Sequence, residues 1–142
     1  MKRLTVLGLI LALSSSMACL GQNTTSPTDY TIVSPVTELF TGTLDPKGST
    51  FYSFVIGNPD PVRVTLASVT DATTGAAVTS TVRLGFGVPD GTTCATTFST
   101  TTASSLAAQY LSVASAGTFC VIVSDPGTVT KSLNFAVRII HS

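Results

Sequence analysis

From residue 36 onward, apolar and polar positions alternate along the chain with a period of two. Val62, Val64 and Leu66 alternate with Arg63 and Thr65, and Val82, Leu84 and Phe86 alternate with Arg83 and Gly85. Leu133, Phe135, Val137 and Ile139 alternate with Asn134, Ala136 and Arg138. Successive side chains of a strand point to opposite faces, so each run predicts a strand with one buried and one wetted face. Phe51 to Ile56 and Phe119 to Val123 are apolar on both faces, which predicts strands near the middle of the structure. Val36 to Leu44 predicts a further strand, with Gly42 a candidate bulge. Asp45-Pro46-Lys47-Gly48, Asn58-Pro59-Asp60-Pro61, Pro89-Asp90-Gly91 and Asp125-Pro126-Gly127 predict turns. In each, Asp or Asn can bond nearby backbone, Pro fixes φ, and Gly, where present, accepts positive φ. The spacing implies an all-β fold, an antiparallel β-sandwich of six to eight strands over residues 36–142. Ser104 to Tyr110 is the single helix-like stretch. Residues 92–105 are Thr or Ser at 10 of 14 positions, which predicts a long surface loop or a poorly ordered edge.

The segment before the strands has a different character. Met1, Lys2 and Arg3 precede Leu4 to Leu13, ten mostly apolar residues. A bilayer needs about 20 such residues, so this run fits the core of a secretory signal peptide over residues 1–18 and not a membrane span. Ser16 and Ala18 suit signal-peptidase cleavage before Cys19, and a Cys at that position resembles the lipobox of bacterial lipoproteins. The resemblance implies that Cys19 is lipidated and becomes the mature N-terminus, although Ser16 stands where that motif usually has Leu, Val or Ile. Plain secretion leaves Cys19 as a free thiol. Residues 19–35 are largely polar and aperiodic, and read as a flexible tether.

Composition narrows the function classes. With 7 basic and 7 acidic residues, the chain has no electrostatic footprint for nucleic acid. Only 10% of residues are charged, against about 25% in an ordinary soluble domain. The polarity comes instead from 25 Thr and 17 Ser, whose hydroxyls suit water while the Thr β-branch suits a pleated surface. Three Cys are present. Cys94 and Cys120 form a natural disulfide pair in an oxidising compartment and leave Cys19 as the odd one. No second Cys pair or nearby His completes a four-ligand metal site for them.

Leu39-Phe40-Thr41-Gly42-Thr43-Leu44, Gly48, Phe51 to Ile56 and Val62 to Leu66 resemble the bacterial pre-peptidase C-terminal domain. Ala116 to Val123 followed by Leu133 to Val137 is similar to that family's closing strands. The resemblance spans about residues 36–140 and implies a jelly-roll sandwich. Some members bind matrix polymers such as collagen. The family is usually appended to secreted peptidases, and no catalytic domain precedes these strands.

Signals for catalysis are sparse. The one His, His141, stands next to the last residue, where chains fray, and reads as a solvated tail residue. Without a credible base there is no nucleophilic device, and no cofactor is implied. Glu38 is the sole Glu, and Asp45, Asp60, Asp71, Asp90 and Asp125 fall in predicted turns. A calcium site built from two such loops is the alternative to simple turn capping. Arg63, Arg83 and Arg138 lie mid-strand on polar faces and would form a cationic row if their strands are neighbours. The expectation is a non-enzymatic, exported module on the outer membrane or cell surface, alternatively secreted or periplasmic. Its expected partners are the membrane, through the N-terminal lipid, and an extracellular polymer or envelope protein. Adhesion to a matrix polymer and assembly into a surface fibre by strand donation are the alternatives.

Overall fold

The computed structural model describes residues 34–142; the predicted signal segment, Cys19 and most of the tether lie outside the described residues. Eight strands follow one another: β1 (Val36–Leu44), β2 (Ser49–Ile56), β3 (Asp60–Asp71), β4 (Val82–Asp90), β5 (Thr93–Thr102), β6 (Tyr110–Ala114), β7 (Gly117–Ser124) and β8 (Leu133–His141). They form two antiparallel four-stranded sheets, in the orders β1-β8-β3-β6 and β2-β7-β4-β5. The pairing is nested. β1 pairs with β8, β2 with β7, β3 with β6 and β4 with β5, so residues 36–141 form one long hairpin rolled into a sandwich. That order is the jelly roll, in which rolling a hairpin closes two sheets over one core. Its tip is the two-residue turn between Asp90 and Thr93, where Gly91 takes a φ of 59° that a side chain would disfavour.

The alternating residues of each strand meet in the middle. Leu44, Ile56, Val62, Val64, Leu66, Leu84, Val121, Val123, Val137 and Ile139 are fully buried there. Aromatic rings close the two open sides of the sandwich. On the β1/β2 side Phe40 stacks on Tyr52, with ring centroids 5.6 Å apart. On the β5/β6 side Tyr110 stacks on Phe86 at 4.3 Å and packs against Phe98 at 5.0 Å.

Several expectations are corrected. Residues 93–102 form an edge strand, not a loop, because β-branched Thr tolerates extended backbone and Phe98 reaches inward to the core. Ser104 to Tyr110 is not helical. It runs beside β3, where Ser105 N–H donates to the Leu66 carbonyl and the Gln109 side chain accepts the Leu66 N–H at 2.8 Å. Phe51 to Ile56 lies at the edge of its sheet, and Val55 on its outer face is exposed. Gly42 sits in regular pairing; a Cβ there would lie 3.0 Å from the Phe135 ring, so the glycine makes room for that ring. The irregularities occur instead between Leu66 and Ser68 and between Phe86 and Gly87. In the Asp45–Gly48 turn it is Lys47, not Gly48, that takes the left-handed φ of 61°.

The predicted disulfide joins Cys94 on β5 to Cys120 on β7, with Cα atoms 5.9 Å apart. These strands flank β4 on either side, so the bond spans the strand between them. Glycine makes this reach available. A Cβ on Gly87 would fall 2.0 Å from the Ala95 carbonyl oxygen, so β5 lies directly over β4 there. With the cysteines 26 positions apart, chain entropy alone gives the bridge about 3–4 kcal/mol. Reduction is expected to lower Tm by about 15 °C in a thermal melt, and the C94A/C120A double variant is expected to match the reduced protein.

Candidate functional site

Besides the turn-capping Asp71, Glu38 and His141 are polar residues that fall among the core positions of the described strands. Glu38 shares its face of β1 with Phe40 and Leu44, and His141 continues the buried face of Leu133, Phe135, Val137 and Ile139 on β8. Pairing of β1 with β8 brings them together, and His141 Nε2 lies 2.8 Å from Glu38 Oε1. The Tyr52 hydroxyl, reaching across from β2, donates to Glu38 Oε2. The His141 ring packs against Phe54 with centroids 5.1 Å apart, and its side chain is only 4% exposed. The reading of His141 as a solvated tail residue is therefore corrected. The last strand ends inside the sandwich, and Ser142 accepts a bond from the Gly57 N–H.

A His held by a carboxylate is half of a hydrolytic device, but such a device needs a nucleophile on the second ring nitrogen. Here Nδ1 faces the carbonyl of Ser142 at 3.3 Å, and the third member, Tyr52, bonds the carboxylate instead of the imidazole. The three residues tie β1, β8 and β2 together across the sheets. The carboxylate, then burial and its charge, push the Tyr52 hydroxyl pKa upward.

The turn carboxylates are occupied by backbone. Asp125 Oδ1 accepts the N–H groups of Gly127, Thr128 and Val129, and its Oδ2 accepts that of Lys47 at 2.8 Å. These bonds hold the carboxyl pKa down at about 2. Asp71 caps Thr73 and Thr74 and pairs with Lys131, which together hold it well below the usual carboxylate range. Asp45 accepts the Ser132 hydroxyl at 2.5 Å. Three turns at one end of the sandwich are stitched together this way. Among the described residues, no three His, Cys, Asp or Glu side chains gather as a metal site.

The three arginines divide between the faces. Arg63 and Arg138 are diagonal neighbours on the outer face of the first sheet, opposite Ile140 and Thr65 respectively. Arg83 lies alone on the outer face of the second sheet, beside a depression of about 220 Å³ lined by Gly85, Thr96, Ser99, Ile122 and Ser124. The cationic row is thus a pair plus a single residue. No protein-family model and no curated protein matches this chain.

The sequence reading missed the Glu38–Tyr52–His141 cluster. Its signal was phase: Glu38 and His141 each fall in register with the apolar positions of their strands. Glu38→Ala is expected to cost about 1–3 kcal/mol in denaturant unfolding, since it strands the buried His141, and His141→Ala less, since the half-buried Glu38 keeps its Tyr52 bond. A double-mutant cycle is expected to show strong coupling, whereas independent effects would separate the pair. The raised Tyr52 pKa contributes stability below the free value of 10.0 that is lost as pH climbs through the folded value. Tyr52→Phe is expected to remove that alkaline loss. At the acid end, the lowered Asp125 pKa gives stability present above 3.8 and lost as pH falls through about 2. Asp125→Asn is expected to flatten acid unfolding measured by circular dichroism over that range.

Proposed function

We propose that the chain is a non-enzymatic module of the bacterial cell envelope, exported and held on a membrane by lipid at Cys19. It works through binding or structural contacts on its sheet faces, with an extracellular polymer or another envelope protein as partner. The observation that carries this reading is the Cys94–Cys120 disulfide. Such bonds persist in oxidising compartments, which agrees with an export signal at residues 1–18. The pairing also leaves Cys19 as the one remaining thiol of the three, next to small residues suited to signal cleavage. Lipidation of several acyl chains, each buried CH₂ contributing about 0.8 kcal/mol, would make attachment stable.

The non-enzymatic reading is supported by the use of the sole His. It is buried against Phe54 and bound to Glu38, with no hydroxyl or thiol nucleophile on its second nitrogen. The jelly-roll strand order agrees with the fold that resemblance to the pre-peptidase C-terminal domain implies, and so supports that kinship as a proposal.

Expression of the full chain in a lipoprotein-processing bacterium tests the reading. The mature protein is expected in the membrane fraction, with an N-terminal mass of diacylglyceryl-modified Cys19 and no reactive thiols. Cys19→Ser is expected to abolish that modification. A soluble product with unmodified Cys19, or one with Cys94 and Cys120 both reactive to thiol reagent, would overturn it.

A further inference from the structure

The outer face of the first sheet is divided in two along its strands. Towards the turns capped by Asp45, Asp71 and Asp125 it presents Thr41, Thr43, Asn134, Ala136 and Thr70. Towards the other end the composition changes. Cross-strand register there sets Ile140 beside Arg63 and Arg63 beside Leu111, while Leu39 lies beside Arg138 and Pro61 beside Val113. Leu39, Leu111 and Val113 are 65%, 61% and 70% exposed, more than half of each side chain in water. Clustered exposed aliphatics on one face mark an interaction surface, whereas scattered ones do not. Neither arginine is paired with a carboxylate among the described residues; Asp60, which lines the same shallow depression as Arg63, is the one acid close by.

Where the chain joins the domain selects the occupant. Pro35, just before β1, lines that depression together with Pro61, Arg63 and Ile140, so the described domain begins beside this half of this face. Only 14 residues lie between Cys19 and Ser34, at most about 50 Å of extended chain. We infer that this aliphatic, arginine-bearing half-face lies against the anionic surface of the membrane that holds the lipid. The inference rests on the lipid-anchored reading. Aliphatic side chains settle at the headgroup boundary, and each arginine near an anionic leaflet strengthens association about fivefold. Such contact is weak for a free protein. A tether shorter than about 50 Å supplies an effective concentration on the order of millimolar, which makes weak contact sufficient.

The test uses the mature chain, residues 19–142, carrying Cys19→Ser, which removes both the anchor and the apolar signal and leaves the face. This protein is expected to co-sediment with phosphatidylglycerol vesicles and much less with phosphatidylcholine vesicles. Adding Arg63→Glu and Arg138→Glu, both exposed positions, is expected to weaken sedimentation about 30-fold or more. The chain has no Trp, so Leu111→Trp is a unique reporter. Its emission is expected to shift to the blue on adding anionic vesicles, while Val55→Trp on the opposite sheet is expected not to shift. Absence of sedimentation, sedimentation unchanged by charge reversal, or equal shifts at both reporters would overturn the inference. Failure of the anchor reading shows separately, as unmodified Cys19 in the wild-type protein.

Discussion

Pairing between the first strand and the last is the constraint on which the rest of this structure depends. Val36 opposes His141 and Leu44 opposes Leu133, so residues separated by nearly the whole domain must find one another. Every other pairing is nested inside that one. Once β1 and β8 are registered, Glu38 and His141 are side by side, and β2 brings the Tyr52 hydroxyl onto the same carboxylate. The polar cluster serves the pairing in return. Register in a sheet is fixed wherever a one-residue slip would expose the buried face, and here a slip would also strand a carboxylate and an imidazole. Such non-local topology folds slowly, because loop-closure entropy is met before the contacts that reward it.

The hairpin tip is secured by different means. β4 and β5 lie at the far edge of the second sheet, where strand β5 has only Phe98 and half-buried Thr residues to hold it to the core. The disulfide fastens this strand to β7, and Gly85 and Gly87 keep the outer face of β4 low enough for neighbours to close over it. Side chains of Thr96 and Ile122 stand 2.7 and 2.8 Å from where a Gly85 Cβ would be. A strand weak in apolar anchors is thus kept in place covalently.

Much of this was legible in the chain. The period-two runs locate β3, β4 and β8 well, since alternation reports directly which face meets the core, and the doubly apolar Phe119 to Val123 marks β7 as an inner strand. The same pattern says nothing about which strand lies beside which, so Arg63, Arg83 and Arg138 look equivalent until the topology separates Arg83 from the other two. The Thr run of β5 carries no alternation of apolar and polar residues, and only its β-branched character hinted at extended backbone. Glu38 and His141 were in phase with the core throughout. Their residue types argued for water, and the identity of the partner 103 positions away was invisible without the pairing. Gly85 and Gly87 look like wet-face positions by phase, yet they are buried because neighbouring strands bend over them.

The scarcity of charge takes on a spatial meaning in this topology. Asp45, Asp71 and Asp125 are consumed in capping and stitching three turns at one end, and Glu38 is consumed inside the sandwich. Few carboxylates remain to neutralise Arg63 and Arg138 on the sheet face, and repulsion from anions is correspondingly weak there. A jelly roll also places the beginning of β1 beside the end of β8, so any upstream tether must join the domain at the end away from the Asp-capped turns. The threonine-rich half of that face therefore lies towards the Asp-capped turns, and the aliphatic, cationic half towards the start of β1. Low charge is then less a general property of the surface than a division of labour, with Asp45, Asp71 and Asp125 spent on holding turns and Arg63 and Arg138 left unpaired, among the described residues, on one face.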